Sequence, residues 1–407
     1  MIQSNFENNI SKDKNILVVL GENENKETQY VTDNFCGIVV KNFSEIPFST
    51  ENKKIYICGD INLLEEIDAD LFVIKELSTH FENSINKNIH IITLGQVPIV
   101  VSNAGVYFRE MFTELDYFSK IKSEHAFQNL TESNKGSQAL RTGIYLTDIA
   151  KEEADAKEKL HYRLLRCSSN FTGPTDNFRE TDHFIINTLN DSIKYCFEKE
   201  TKLNHVLAQI YENKVKSSEN SKDVKSKIKA HSDKTKDMPK DGLIAFTTFY
   251  DNSNFDQLKK SENDRYDWCY KQTSGLTRLH FKLKDSVKDE NLDKEFSVTL
   301  YPNSAFLIPL STNRLYTHEI RPSMLNVDQI PVRLGYVARC SNLEAVFMDD
   351  QTFIKENNEL IKLEQMSSDD MVNLRNSYYE ENSTEKNVEY GKIYFSMNSG
   401  DYEKPIY

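Results

Sequence analysis

The chain has 407 residues, 38% of them hydrophobic and 11% aromatic, enough for a sizeable core and enough to exclude a disordered protein. With 50 Lys and Arg against 63 Asp and Glu the net charge is −13, which argues against one broad phosphate-binding face and leaves room only for a local basic groove. The six cysteines, Cys36, Cys58, Cys167, Cys196, Cys269 and Cys340, include no Cys-x-x-Cys pair, so they give neither a zinc signature nor a disulfide framework.

Residues 1–97 alternate short Val- and Ile-rich runs with polar connectors. Ile16–Leu20, Gly37–Val40, Lys54–Cys58, Leu71–Ile74 and His90–Thr93 read as buried strands, with Leu63–Ile67 and Ile74–Phe81 as helices between them, a small α/β accessory domain. It contains no Gly-x-Gly-x-x-Gly and no phosphate-loop motif, so no nucleotide site is assigned. Met1 to Asn15 carries no hydrophobic signal core and no apolar run reaches membrane-spanning length; the expectation is a soluble protein of the cytoplasm or nucleus with no membrane partner.

A second domain is expected over 98–347. It opens with Val97–Val101 and the run from Gly105 to Phe112, after which apolar residues recur at helical spacing to Phe127, as in helices bracing a sheet. Thr131–Lys135 is polar, Arg141–Thr147 β-like, and the charged stretch near Asp148–Leu160 is read as a helix. Thr172–Asp176 is a turn by its chemistry. Thr181–Lys202 reads as an amphipathic helix burying Phe184, Ile185, Leu189, Ile193, Tyr195, Cys196 and Phe197, and His205 opens a strand ending at Tyr211.

Lys202–Lys240 holds ten Lys against five acidic residues, with Asn213–Lys227 polar enough for an exposed hairpin or loop. Such a run is ordinarily a solvated surface, but this one abuts His231-Ser232-Asp233, where positive charge would steer an anionic substrate. On a strand, His231 and Asp233 leave the same face and can grip one ion. His318 is the second imidazole, and two histidines with one carboxylate on one side of a metal form the facial triad of non-haem Fe(II) oxygenases. Singly, each has an ordinary structural reading.

Between them, Tyr266-Asp267-Trp268-Cys269-Tyr270 holds the only tryptophan, placed either to stack on an extruded base or to pack one edge of the core. His280 is treated as structural. Arg333 and Arg339, six apart in a β-rich run, point to one face about 20 Å apart along the strand, and guanidinium is the side chain suited to bidentate carboxylate capture. Residues 348–407 lean acidic, with helical periodicity over Phe353–Leu363 and a β-like piece at Lys392–Met397, and are expected to pack on the core.

Taken in order, Gln209-Ile210-Tyr211, His231-Ser232-Asp233, His318 and Arg333-Leu334-Gly335-Tyr336-Val337-Ala338-Arg339 resemble the AlkB-like branch of the Fe(II)/2-oxoglutarate dioxygenases over about residues 100–347. That family's pattern is Asn-x-Tyr, His-x-Asp, a distal His and Arg-x-Asn-x-x-x-Arg, so Gln209 and Gly335 depart from it. The resemblance implies an α+β protein with a double-stranded β-helix (jelly-roll) core. It implies His231, Asp233 and His318 as Fe(II) ligands, with 2-oxoglutarate held by Arg333, Arg339, Tyr211 and Gln209, and O2 as oxidant. It makes Tyr162–Asn170 a candidate substrate lid. The implied reaction is hydroxylation of a C–H bond, foremost oxidative demethylation of a methylated nucleobase in DNA or RNA. The alternatives are a protein side chain or small metabolite as substrate, or a non-catalytic binding module that retains the fold.

Overall fold

The computed structural model describes residues 8–21, 25–46, 52–65, 68–83, 88–113, 115–131, 138–154, 157–166, 172–215 and 223–407. Near the start of the chain, β1 (Asn15–Leu20), β2 (Ile38–Val40), β3 (Lys54–Asp60), β4 (Leu71–Thr79) and β5 (Ile89–Ile92) form an all-parallel sheet in the order β2-β1-β3-β4-β5. Parallel strands are buried on both faces, which is why they read as unbroken Val and Ile runs. Ile16, Val18, Ile55 and Ile57 fill one side, and Leu17, Tyr56 and Cys58 pack with Val31 of α1 (Lys26–Asn34) on the other. All five predicted strands are present, but the predicted helices are not. Ile74 continues β4 to Thr79, and the described part of Leu63–Ile67 is extended after a short turn at Ile61–Leu63. The helix is α1, which buries only Thr28 and Val31, too few positions to show a period.

The rest of the chain is mixed α/β with sheet dominant. In order come β6 (Ile99–Val101), β7 (Gly105–Phe108), α2 (Tyr117–Glu124), β8 (Gln128–Thr131), β9 (Gln138–Thr147), β10 (Ala150–Ala154), β11 (Lys157–Leu164), β12 (Asp176–Asn177), α3 (Glu180–Cys196), β13 (His205–Tyr211), β14 (Ile228–His231) and β15 (Leu243–Tyr250). A small three-stranded unit follows, β16 (Lys259–Lys260), β17 (Trp268–Tyr270) and β18 (Thr273–Ser274). Then come β19 (Arg278–Leu283), β20 (Glu295–Thr299), β21 (Ser304–Pro309), α4 (Leu310–Leu315), β22 (Tyr316–Arg321), β23 (Arg333–Arg339), β24 (Leu343–Met348), β25 (Gln351–Glu356), β26 (Glu359–Lys362) and α5 (Ser368–Ser383).

A nine-stranded sheet runs β12-β9-β13-β23-β15-β21-β7-β6 with β8 beside β9, and a four-stranded sheet runs β14-β22-β19-β20. Strand alternation assigns their faces. Ile244, Phe246, Phe306 and Ile308 of the larger sheet meet Leu279, Phe281, Val298, Tyr316 and Ile320 of the smaller in one apolar layer. The opposite parity, Ala245, Phe249, Ala305 and Leu307, packs under α2 and α3, which brace the outer face. Phe184 departs from the predicted helix face: it is 53% exposed, and Ile186 is buried instead.

Two predicted helices prove to be hairpins. Asp148–Leu160 falls in β10 and β11, where Lys151 meets Glu158 diagonally across the pair at 3.0 Å and Leu160, Tyr162 and Leu164 face inward at a period of two. Phe353–Leu363 falls in β25 and β26, so that β10-β11-β24-β25-β26 make a further antiparallel sheet. The substrate-lid expectation is corrected with it. Tyr162 and Leu164 are core residues of that sheet, and Arg166 forms a buried ion pair with Asp237 at 2.7 Å; Cys167–Asn170 lie outside the described residues. Much of Thr131–Lys135 and the centre of Asn213–Lys227 also lie outside them. Among the described residues no helix is long and apolar enough to cross a membrane.

Candidate metal centre

Parity decides which side chains reach the space between the two facing sheets. On β13, Val206, Ala208 and Ile210 pack toward the helices, so His205, Leu207, Gln209 and Tyr211 face the other way. On β23, Leu334, Tyr336 and Ala338 do the same, which turns Arg333, Gly335, Val337 and Arg339 inward. The two strands are antiparallel neighbours with Tyr211 opposite Arg333 and Gln209 opposite Gly335.

The histidines come from the smaller sheet, where β14 and β22 pair Ile228 with Ile320 and His231 with His318. Three residues on β14 therefore span two on β22. This bulge turns His231, rather than Ala230, onto the face of His318. The strand ends there, so Asp233 does not follow His231 along one strand face as the spacing alone predicts; the chain turns away and returns the carboxylate from a loop. The three groups still meet. His231 Nε2 lies 3.6 Å and His318 Nε2 3.8 Å from the same oxygen, Asp233 Oδ1, and the imidazole centroids are 4.5 Å apart.

The outer atoms of His231 and Asp233 are engaged, which turns their free lone pairs inward, whereas His318 Nδ1 is buried with no partner among the described residues. His231 Nδ1 lies 2.8 Å from the Lys229 carbonyl and donates to it, which leaves Nε2 as the acceptor. The second oxygen, Asp233 Oδ2, is gripped by Arg339 through Nε at 2.8 Å and Nη2 at 2.7 Å, so Oδ1 is the one turned to the histidines. Burial alone would raise the Asp233 carboxyl, but Arg339 with His231 and His318 holds it well below the usual carboxylate range. Burial, with the neighbouring His231, pushes His318 down to about 3, so it is a neutral ligand. Phe246 and Phe281 stand against the His318 ring at 5.2 and 5.7 Å and keep that side dry. His231 is the solvent-facing member, its side chain 36% exposed against 4% for His318. Three donors converging from one side, with the Asp233 carboxylate ionised and His318 neutral, fit a divalent transition metal.

Gln209, Tyr211 and Arg333 form a second group. Tyr211 donates to Gln209 Oε1 at 3.0 Å, and the Arg333 guanidinium lies 3.9 Å from the centre of the Tyr211 ring. Arg333 is buried, yet its Nε and Nη2, the two donors on one edge of the fork, have no partner among the described residues. A Cβ at Gly335 would stand 2.8 Å from Arg333 Nη1 and 3.2 Å from Tyr211 Cε2, so the missing side chain is what lets the guanidinium lie there. The adjoining cavity, lined in part by Tyr211, Asn213, Ser226, Ile330 and Arg333, is closed to about 10 Å³, room for one water. The expectation that both arginines close on one dicarboxylate is not met as drawn, because the Arg339 fork is already engaged by Asp233.

Several supports of the centre carried no signal in the sequence. Asn313 of α4 accepts from the Asp233 amide at 2.8 Å and donates to the Asp233 carbonyl at 3.0 Å. Asn382 of α5 accepts from the Ser232 amide at 2.7 Å, and Glu381 accepts from the Thr235 amide at 3.1 Å and its hydroxyl at 2.5 Å. Lys284 ties the same helix end to the core through the Glu381 and Thr384 carbonyls. These partners are remote in sequence, so only proximity reveals them. His280 faces away from the centre, since β19 sets Phe281 opposite His318, and its Nδ1 lies 2.7 Å from Ser297 Oγ. Trp268 packs edge-on against Phe255 at 4.8 Å, beside Leu258, Leu325 and Ile330, which is the core-packing alternative.

Glu124, His125 and Asp182 also cluster closely enough to hold an ion, but their chemistry argues otherwise. His125 lies 2.8 Å from Asp176 through Nδ1 and 2.8 Å from Asp182 through Nε2, so both ring nitrogens are spent as donors. Burial opposes its charge, but the two carboxylates win and raise it to about 9. It is an imidazolium at neutral pH and has no lone pair for a metal.

No family model matches the chain, and no curated protein does. Among solved structures, one described as "The structure of OsALKBH1" aligns with 58% of this chain and 96% of that one, at 13% identity and a TM-score of 0.32.

Proposed function

We propose that this chain is an Fe(II)- and 2-oxoglutarate-dependent dioxygenase, with the two facing sheets as its double-stranded β-helix. In this reading residues 98–347 are the catalytic domain, 1–97 an accessory domain and 348–407 an extension packed on the core. The observation that carries the reading is the joint one: His231, Asp233 and His318 converge on one side of a space, and on the same inner face of the neighbouring strands Arg333 offers a buried guanidinium edge with no acceptor among the described residues. A carboxylate is the acceptor whose geometry matches that edge.

Bound Fe(II) supplies the oxidising chemistry, in which O2 and 2-oxoglutarate yield succinate, CO2 and one oxygen atom inserted into a substrate C–H bond. The chain's own residues do the rest. Arg339 keeps Asp233 ionised and fixes which oxygen it presents, and the Lys229 carbonyl fixes the His231 tautomer. Arg333 exchanges the face of Tyr211 for the distal carboxylate, with the Tyr211 hydroxyl and Gln209 beside it. Phe246 and Phe281 exclude water behind His318.

For the substrate we propose a methylated nucleobase, whose hydroxymethyl product breaks down to formaldehyde and the bare base. Lys227 and Lys229 support it: both are exposed, on or beside β14, the strand that ends at His231, the solvent-facing ligand. The net charge of −13 favours the second reading, hydroxylation of a protein side chain or small metabolite. The test is succinate release by protein loaded anaerobically with Fe(II), then given O2 and 2-oxoglutarate with methylated oligonucleotides, peptides or nucleosides. Turnover stimulated by oligonucleotide and suppressed by salt is the expected result. Stimulation by peptides or nucleosides alone selects the second reading, and the absence of both iron binding and succinate ends the oxygenase assignment.

A further inference from the structure

The loop that carries Asp233 has two sides. Asp233 turns Oδ1 to the histidines, and its neighbours turn to α5. The Ser232 amide donates to Asn382 Oδ1 at 2.7 Å, and Lys234 Nζ donates to the Tyr378 carbonyl at 3.3 Å. Thr235 donates to Glu381 through its amide at 3.1 Å and its hydroxyl at 2.5 Å. The Lys234 ammonium also lies 5.1 Å from the centre of the Tyr378 ring. Two residues beyond Thr235, Asp237 pairs with Arg166, whose Nη1 donates to the Ile393 and Phe395 carbonyls and whose own carbonyl accepts from the Tyr378 hydroxyl. The run 232–237 thus joins the candidate metal centre to α5 and to the chain that follows it.

α5 buries little of itself. Of its 16 residues Leu374, Tyr378 and Glu381 are buried, while Val372 and Tyr379 stand exposed. Its first turn is capped locally by Ser367 and Asp370, and its last turn is tied to the core by Lys284, which donates to the Glu381 and Thr384 carbonyls. Arg314 holds the Glu385 carbonyl just beyond it, at 2.8 Å. An element with few buried apolar contacts opens locally at low cost. A helix of this length is marginal alone in water, so α5 frays once it leaves the loop.

A metal held by His231, Asp233 and His318 fixes Asp233 Oδ1 against both imidazoles, and with it the backbone of 232–235. α5 then docks on a loop already ordered, at a smaller cost in entropy. Such coupling is reciprocal: the factor by which docked α5 raises metal affinity is the factor by which the metal favours docking. We infer that metal occupancy controls the docking of α5, which is clasped on the loaded protein and opens more readily on the metal-free one. The C-terminal extension thereby signals at the surface whether the centre is filled. This rests on the metal-binding part of the proposed function and not on its co-substrate or oxygen chemistry.

The test is amide hydrogen exchange of the full chain, metal-free and loaded anaerobically with Fe(II), with retained iron measured on the same samples. With iron bound, the α5 amides are expected to exchange about 5- to 150-fold more slowly, the span of an ordinary coupling, while those of β1 to β5 stay unchanged. In Asp233→Ala, added iron should leave α5 exchange where it was. In Asn382→Ala the iron-dependent difference should shrink severalfold although iron is still retained at saturation. Leu374→Ala carries the test if Asn382→Ala does not fold: it trims an apolar contact of α5, removes none of its bonds to the loop, and should weaken iron binding severalfold in competition with a chelator. The inference is overturned, with the metal centre left standing, if iron is retained and α5 exchange does not slow, if α5 and β1 to β5 slow alike, if Asn382→Ala keeps the full difference, or if Leu374→Ala binds iron like the wild type. No retained iron in the wild type removes the centre and the coupling together.

Discussion

At the scale of single residues, the centre depends on which oxygen of Asp233 is free. Arg339 occupies Oδ2 and leaves Oδ1 between the histidines, so the arginine orients the carboxylate of the candidate centre and is not itself one of its three donors. His231→Ala or Asp233→Ala is expected to abolish metal-dependent turnover and metal retention while the circular dichroism spectrum stays native, because neither side chain packs the apolar core. Turnover surviving in both variants would remove the centre from consideration. Arg333→Ala is expected to raise the 2-oxoglutarate concentration needed for half-maximal rate by about 10- to 100-fold with iron content unchanged, the size of loss seen when a buried charge-assisted pair is broken. Gly335→Ala acts in the same direction: its Cβ would crowd Arg333 Nη1 at 2.8 Å, so it should shift the 2-oxoglutarate dependence and leave metal binding alone. That His231, Asp233 and His318 come together was legible in the sequence, from their order and their residue types. The bulge that aims His231 was not, since it is a property of pairing with β22. The fork of Arg339 turning to Asp233 was not either, since a spacing says nothing about partners.

At the scale of elements, the strands of the two facing sheets were legible and several helices were not. β13 stands at its predicted bounds because a run of fully buried residues leaves one reading of the backbone. β10 and β11 were misread because a dense run of charges of both signs imitates a solvated helix until the partner strand is known. α5 was missed outright: it buries only Leu374, Tyr378 and Glu381, so it has no apolar stripe to read. That same helix holds the loop after His231 through Asn382 and Glu381. Asn382→Ala is therefore expected to lower metal affinity about 10- to 100-fold with every ligand in place, as loss of an orienting partner does. Competition with a chelator, read against His231→Ala, measures it; wild-type affinity in Asn382→Ala would reduce α5 to packing.

At the scale of the whole molecule, a buried charged node ties α2 to α3 and to the outer face of β23. His125 bridges Asp176 and Asp182, and Asp182 also accepts from the Tyr336 hydroxyl at 2.9 Å. Its folded pKa, raised from an ordinary 6.5 to about 9, means that its stabilisation is fully present below about pH 6.5 and is lost as pH rises through 9. The shift corresponds to about 3 kcal/mol, so the melting temperature should fall between pH 7 and pH 10 and His125→Gln should flatten that part of the profile. An unchanged profile in the variant would place the alkaline loss elsewhere. The tie between α5 and the metal-binding loop has a consequence in time as well as in space. Ser232 and Asn382 are 150 residues apart, so a ribosome adding roughly 5–20 residues per second needs on the order of 10 s or more to deliver the partner after the ligand loop is made. A nascent chain carries His231 and Asp233 through that interval, gains His318 part-way along it, and receives the clamp on their loop only when Asn382 has been added.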